Sequence, residues 1–418
     1  MDTETYVYAD LDGAPRLVGR LFTHVRKGRE SATFEYDDSW LAHDERFALE
    51  PALKLGPGPF HTATDRAMFG AIGDSAPDRW GRMLMRRAAR RRAAAAGDAP
   101  RTLYEIDYLL LVNDEARQGA LRFTDQPGGP FLAPQDHTPV PPLIELPRLL
   151  SAAERVIDDR EDDEDLRLLF APGSSLGGAR PKASVREPDG RLAIAKFPHK
   201  DDEWNAVLWE AVALSLAGKA GIAVPTWRAE NIAGKDVLIL ARFDRNGDLR
   251  IPYLSAMSML GARDNELRSY LEVADALRLH GAQPAIDLPA LWRRIVFTVL
   301  ISNVDDHMRN HGFLYTGTDG WALSPAFDLN PMPVDVTPRV LNTAIDDEDQ
   351  TASLELALSV AAYFDLDQHG AERIAGEVAS AVSSWREEAA RFGLTKSACD
   401  RMQSAFVHAD LEAALAIG

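Results

Sequence analysis

The strongest constraint on this chain is a run of nine residues, Asn303-Val-Asp-Asp-His-Met-Arg-Asn-His311. It lies between an apolar stretch with helical spacing, Leu288–Ser302, and a short β-like run, Gly312–Tyr315. Two carboxylates, two imidazoles and two carboxamides in nine positions oppose helix formation. Short polar side chains compete for backbone hydrogen bonds and favour loops and caps. Any fold of this sequence must therefore end a buried helix near residue 302, hold a polar loop at its tip, and start a strand at about 312. Packing alone is a poor use for such a set of side chains.

Phosphoryl transfer gives them a use. That chemistry needs one carboxylate to orient an acceptor hydroxyl and accept its proton, and an Asn further along to hold Mg2+. The catalytic loop of protein kinases sets these two five apart, as D-x-x-x-x-N. Asp305 and Asn310 have this spacing. A second carboxylate follows a short predicted hairpin: Ser324-Pro-Ala-Phe327-Asp328-Leu329, with Asp328 lying 18 positions beyond Asn310. Mg2+ takes one or two carboxylates with phosphate oxygens and water, and Asn310 with Asp328 meets that need. Two other readings stand beside this one. One is a hydrolytic metal site using His307, His311 and Asp306, although their spacing is no zinc signature. The other is a polar loop with a purely structural role.

Upstream, a Gly/Ser-rich stretch, Pro172–Gly178, leads into two β runs, Ala183–Arg186 and Leu192–Phe197. It is not a Walker A loop, because Ala179 stands where that motif needs Lys. Lys196 sits inside the second apolar run, where an ammonium is costly unless paired. Phosphates and Glu210, on the predicted helix Trp204–Ala220, would pair it; an ammonium reaching solvent at a strand end is the alternative. A further β run, Val237–Phe243, ends in Arg242-Phe-Asp-Arg245, which suits a hinge braced by ion pairs. From about residue 265 most segments read helical: 266–279, 288–302, 354–364, 371–392 and 396–416, interrupted by a hairpin of Gly312–Tyr315 and Trp321–Leu323.

Residues 1–60 read as short strands, Tyr6–Asp10, Val18–Thr23 and Ala32–Tyr36, with Asp12-Gly13 as a hairpin turn. Residues 61–97 read as helical, closed by Gly97. This region carries Arg at 79, 82, 86, 87, 90, 91 and 92, a solvated face or a contact for an acidic partner or DNA. A short helix is expected over Pro147–Ile157, followed by the acidic run Asp158–Asp165, read as a solvated loop or helix start. The net charge of −18 argues against nucleic-acid binding by the surface as a whole. A single cysteine, Cys399, excludes an internal disulfide and a cysteine metal cluster. No apolar stretch reaches the roughly 18 residues of a membrane span, and the acidic N-terminus does not resemble a signal peptide. A soluble, cytoplasmic protein is expected.

These motifs together resemble the HipA-type serine/threonine kinases, the toxins of bacterial type II toxin–antitoxin pairs. The N-terminal part carries Val18-Gly-Arg-Leu-Phe, Phe34-Glu-Tyr, Ser39-Trp-Leu, Asp74-Ser-Ala-Pro-Asp-Arg-Trp-Gly-Arg82 and Gly119-Ala-Leu121. The later part carries Ser175-Leu-Gly-Gly-Ala-Arg-Pro-Lys182, Lys196-Phe-Pro, Glu210, Gly221-Ile-Ala-Val-Pro225, Arg242-Phe-Asp-Arg245, Asn303–Asn310 and Pro325-Ala-Phe-Asp328. The resemblance implies an α+β architecture. A two-lobed, protein-kinase-like core with a mostly helical C-terminal lobe would adjoin a small β-rich N-terminal subdomain. It divides the chain into residues 1–130 (N-terminal subdomain), 145–264 (nucleotide-binding part) and 265–418 (helical lobe with the catalytic loop).

The resemblance also assigns roles. Asp305 becomes the catalytic base, and Asn310 and Asp328 the Mg2+ ligands. ATP contacts fall on Gly177, Gly178, Ala179, Arg180, Pro181, Lys182, Lys196, the hinge Ala241, Arg242 and Phe243, and on His307, Asn310, Phe327 and Asp328. Ala241 stands where the family has an acidic residue, so hinge contacts there would run through backbone atoms. Ser175, next to Ser174, matches the autophosphorylated serine. A phosphate there would add about −1.5 to −2 charges beside the ATP phosphates, which accounts for inhibition. ATP and Mg2+ are the implied cofactors. The implied partners are a protein substrate, such as an aminoacyl-tRNA synthetase or another translation component, and a helix-turn-helix antitoxin that carries the DNA contact, with no membrane. Two alternative functions are a non-catalytic co-repressor acting with that antitoxin and a small-molecule phosphotransferase on the same fold.

Overall fold

A computed structural model describes residues 2–132, 139–170, 178–317 and 320–417. The chain forms two compact units, each drawn from two stretches. The first takes Met1–Asp201 and Glu230–Leu254, the second Asp202–Ala229 and Ser255–Gly418.

The first unit opens with an antiparallel sheet of β1 (Asp2–Leu11), β2 (Ala14–Arg26), β3 (Arg29–Tyr36), β4 (Pro59–His61) and β5 (Leu121–Thr124), in the order β4-β3-β2-β1-β5. Alternation puts Thr5, Val7 and Ala9 of β1 inside, as a half-buried strand requires. Two-residue turns join the first three strands. Asp12-Gly13 and Lys27-Gly28 all have positive φ, the geometry whose twist matches a hairpin. Gly19 in β2 is obligatory on space: a Cβ there would stand 2.2 Å from the Glu35 carbonyl oxygen.

The second sheet of this unit contains β6 (Lys182–Arg186), β7 (Leu192–Lys196), β8 (Trp227–Ile232) and β9 (Lys235–Ala241), ordered β6-β7-β9-β8. The chain re-enters the unit within β8. Helices Arg79–Ala96, Leu146–Ile157 and Asp163–Phe170 share an apolar core with it: Trp80, Leu149, Val156 and Leu166 pack with Val185, Ala193 and Ile239. The expectation of helix throughout 61–97 is corrected. Only Gly70–Gly73 and Arg79–Ala96 are helical. Pro77 fixes an extended approach, and the Asp78 carboxylate caps the second helix by accepting the Gly81 N–H at 2.9 Å. Gly97, at φ +73°, closes it.

The two charge runs meet. Arg87 pairs with Asp159 (2.6 Å) and Glu161 (2.9 Å), and Arg91 with Asp163 (2.5 Å). Arg82 grips Glu105 with both guanidinium arms. Much of the basic helix is thus neutralised within its own unit, while Arg79, Arg86, Arg90 and Arg92 stay exposed. The acidic run is no uniform loop: it turns helical at Asp163, and Asp165 is buried against Arg155.

In the second unit, helix Pro284–Leu300 is the central element, buried from Leu291 nearly all round. Helices Tyr270–His280 and Gln368–Ser383 pack on it, and Ala206–Lys219 packs in turn on Gln368–Ser383. Two expected long helices are broken. The 371–392 stretch divides at Ser384, whose hydroxyl donates to the Ala381 carbonyl at 2.8 Å and closes the first helix. The 396–416 stretch divides at Val407, which is extended. The expected hairpin is present, Gly312–Tyr315 against Trp321–Leu323. No helix among the described residues is long and apolar enough to cross a membrane.

Candidate active site

The loop at 303–311 is launched by the end of helix Pro284–Leu300. The Asn303 N–H returns to the Thr298 carbonyl (3.0 Å) and the Ser302 N–H to Val299 (3.3 Å), with Ser302 at φ +53°. This is a Schellman closure with serine where glycine is usual. The Ser302 hydroxyl holds the conformation by donating to the Ala405 carbonyl at 2.9 Å and accepting from Arg339 at 3.1 Å.

Asp306 points inward and is buried. Tyr270 donates its hydroxyl to Oδ2, His311 Nε2 lies 3.0 Å from the same oxygen, and Thr298 stands at 3.4 Å. Burial opposes ionisation of Asp306, yet His311 and Tyr270 outweigh it and hold the carboxyl below its ordinary range. The hydrolytic reading loses two of its three ligands to this network. No trio of His, Cys, Asp or Glu side chains among the described residues is arranged to hold a metal.

Asp305 points the other way, to solvent. Its Oδ1 accepts from Asn342 Nδ2 at 2.9 Å, while Oδ2 takes no hydrogen bond among the described residues. Its pKa is raised, first by desolvation and then by the charges of Asp328 and Asp306, against the lowering influence of His307 and Asn342. A carboxylate held at one oxygen and open at the other is fit to accept a proton. Asn310, on a short 3-10 turn, donates Nδ2 to the Asp305 carbonyl at 3.2 Å. Its Oδ1 is buried with no hydrogen-bond partner. An acceptor shut from solvent with nothing to accept calls for a ligand, and an Asn side chain on a catalytic loop is a group that holds Mg2+ in kinases.

Asp328 has φ +60°, a left-handed conformation that costs about 1 kcal/mol in a residue with a side chain. Asn330 stabilises it by donating Nδ2 to the Asp328 carbonyl at 3.2 Å, and the Asn330 N–H donates to Asn303 Oδ1 at 3.2 Å. The same carboxamide that starts the polar loop therefore pins the segment bearing Asp328. Phe327 is buried beside it, and His307 is partly buried with Nδ1 unpartnered. The second unit so sets Asp328 within electrostatic reach of Asp305 and Asn310 against the Asp305 carbonyl.

The first unit holds the other candidate residues. Gly177 and the serines Ser174 and Ser175 lie outside the described residues. Gly178 has φ +84°, and its carbonyl accepts from Lys182 Nζ at 3.3 Å. Ala179 is exposed, Arg180 partly so, and Pro181 is buried. Lys182 is buried, and its ammonium donates to Asp78 Oδ2 at 2.9 Å; its carbonyl accepts from the Trp80 indole at 3.0 Å. Lys196 is buried directly opposite Lys182 across the β6–β7 ladder. Its proposed partner Glu210 belongs to the second unit. At the end of β9, Ala241 and Phe243 are half-buried. Arg242, fully buried, meets Asp244, which also accepts from Arg245 and from the Gly119 N–H at 2.7 Å.

Two family models match the chain: a HipA N-terminal domain over residues 14–106 and a HipA-like C-terminal domain over residues 174–385. The chain belongs to the HipA family. "Putative kinase Y4mE" of Sinorhizobium fredii is 26% identical over 351 residues, which cover 75% of this chain and 74% of that protein. A protein of Haemophilus influenzae with the same kinase designation is 23% identical over 151 residues, 32% of this chain and 43% of its own length. A chain of the Shewanella oneidensis MR-1 toxin–antitoxin complex of HipA, HipB and operator DNA shares the fold. Its TM-score is 0.67 at 16% identity, covering 99% of this chain and 96% of that one.

Three residues make contacts that the sequence alone does not signal. Asp78 stood inside a quoted motif, and Pro-Asp ahead of a helix marks it as a cap but not as the partner of Lys182. Tyr270 and Asn342 lie 36 and 37 residues from the acids they bond, and no local pattern marks them.

Proposed function

We propose that this HipA-family chain is an ATP- and Mg2+-dependent kinase that phosphorylates serine or threonine hydroxyls of a protein and acts as a growth-arrest toxin. The observation that carries this reading is the Asp305–Asn310–Asp328 set, with one carboxylate oxygen open to solvent and one buried amide oxygen unpartnered. Asp305 Oδ2 would orient the acceptor hydroxyl and take its proton. Its raised pKa keeps it a better base than a free aspartate. Asn310 Oδ1 and the Asp328 carboxylate would hold Mg2+, which when bound neutralises charge on the transferring phosphates. In the first unit, Lys196, the 177–182 segment and the hinge 241–243 are the residues we assign to the nucleotide. The Ser174/Ser175 pair is assigned as the autophosphorylation site. By analogy with the Shewanella complex, a HipB-like helix-turn-helix protein is the proposed partner, and DNA is reached mainly through it. The reducing cytoplasm is the proposed location, in keeping with the lone buried Cys399.

The test is intact-mass and phosphopeptide analysis after incubation with Mg-ATP, with Asp305→Ala run alongside. Phosphate on the Ser174/Ser175 peptide of the native chain and none on the variant is the expected result. No phosphate on either chain, with no heat of ATP binding by calorimetry, would overturn the kinase reading in favour of a co-repressor.

A further inference from the structure

The segment 340–351 lies along the polar loop, and most of its residues have an evident anchoring task. Val340 and Thr351 bridge its two ends, and the Leu341 N–H donates to the Gln350 carbonyl at 2.7 Å. Thr343, buried, donates its hydroxyl to the Asp306 carbonyl at 2.8 Å. Ala344 exchanges backbone hydrogen bonds with Arg268 and Tyr270, each 2.9 Å. Leu341, Ala344 and Ile345 are buried.

Asn342 differs. Its backbone N–H donates to the Val304 carbonyl at 3.1 Å, which fixes its Cα beside the loop, but its side chain is exposed. The carboxamide crosses to Asp305 and donates Nδ2 to Oδ1 at 2.9 Å. No other side chain among the described residues bonds that carboxylate. An exposed carboxylate is otherwise free to rotate about its terminal torsion, which is broad and nearly two-fold.

We infer that Asn342 is the positioning residue for the Asp305 base: it locks Oδ1 so that Oδ2 alone faces the acceptor hydroxyl. This rests on the kinase reading above. The Asn342 donor neither touches the reacting atoms nor takes a proton. It acts by removing the carboxylate rotamers that present no open oxygen, so its loss slows transfer without loosening nucleotide binding. The backbone bond to Val304 does not depend on the side chain, so substitution leaves the segment in place.

The experiment measures Mg-ATP turnover by the full chain, read as phosphate release and as phosphate incorporated into the chain itself. The variants are Asn342→Ala, which has no donor, Asn342→Asp, of the same size but acceptor only, and Asn342→His, whose Nδ1–H can replace the amide donor. Asp305→Asn is the dead control. Expected are a fall of about ten-fold or more in kcat for Asn342→Ala and more for Asn342→Asp, an unchanged KM for Mg-ATP, and recovery to within a few-fold for Asn342→His. A kcat for Asn342→Ala within two-fold of the native chain, while Asp305→Asn is dead, overturns this inference and leaves the kinase reading standing. A rise in KM with kcat unchanged also overturns it, because the residue would then serve ground-state binding. A native chain that neither turns over nor binds Mg-ATP overturns both.

Discussion

Replacing Asp244 by alanine should destabilise the first unit more than any single surface change. The carboxylate has no exposed surface and serves four donors: Arg242 Nε at 2.6 Å, Arg242 Nη2, Arg245 Nη1 at 2.8 Å and the Gly119 N–H at 2.7 Å. Removing one partner of a buried ion pair costs about 3–5 kcal/mol, chiefly because the other charge is left buried and uncompensated. Here two guanidiniums are left. Each keeps carbonyl partners, Arg242 at Ala116 (3.0 Å) and Arg245 at Arg117 (2.6 Å), which limits the cost to that range rather than doubling it. For a unit a little over two hundred residues in size, each kcal/mol is worth roughly 2–4 °C, so the melting transition should fall by roughly 6–20 °C. Differential scanning calorimetry reads this, with Asp163→Asn as the comparison. That acid is exposed, and its pairing with Arg91 is worth at most about 1 kcal/mol. Hydrogen exchange gives a local readout, since the Gly119 amide should lose its protection. The acid limb has a defined sign as well. Burial opposes ionisation of Asp244, but the two arginines hold its pKa far below the ordinary value. Its contribution is therefore present above about pH 4 and is lost as pH falls toward the depressed folded value. A variant within about 1 kcal/mol of the native chain, with Gly119 still protected, would refute the claim that this pair locks the 113–119 segment to the end of β9.

Asn310→Ala should raise the Mg2+ concentration for half-maximal phosphate transfer by about ten-fold or more, read by metal titration at fixed ATP. Asp78→Ala should cost about 3–5 kcal/mol by removing the carboxylate that pairs with the buried Lys182 ammonium at 2.9 Å, and the double variant with Lys182→Met should recover most of it; a simple sum of the two single losses in urea titrations would count against the pairing. Glu50 is buried at the Ala71 N–H (2.5 Å), and burial pushes its pKa up to about 7. Its neutral form therefore stabilises the fold most at low pH, and up to roughly 3 kcal/mol is lost as pH rises from 4.5 through 7, a slope that Glu50→Gln should flatten in melts across that range.

What could be read from the sequence followed from local rules. The Asp12-Gly13 turn, the Gly97 cap and the hairpin at 312–323 rest on neighbouring residues, and they fall where expected. The breaks at Ser384 and Val407 were illegible because the apolar periodicity runs on through both, and only a hydroxyl turning back on the Ala381 carbonyl distinguishes the first. The two charge runs were each legible, but their meeting was not: Arg87 and Glu161 lie 74 residues apart. In the candidate site, the spacing of Asp305, Asn310 and Asp328 was visible. The division of labour between the adjacent acids, Asp306 turned inward to Tyr270 and His311 and Asp305 turned outward to Asn342, depends on residues far away in the chain.

The register of β6 on β7 has a consequence for how this family can vary. It sets Lys182 and Lys196 side by side on one face of a sheet, where like charges repel. The carboxylate of Asp78, borrowed from a helix more than a hundred residues earlier, makes that neighbourhood tolerable. Positions 78 and 182 are therefore coupled through this ion pair. Relatives that lack an acid at position 78 should also lack a cation at 182, while position 196 stays free to keep its own, and an alignment of many such chains would show the first two changing in step.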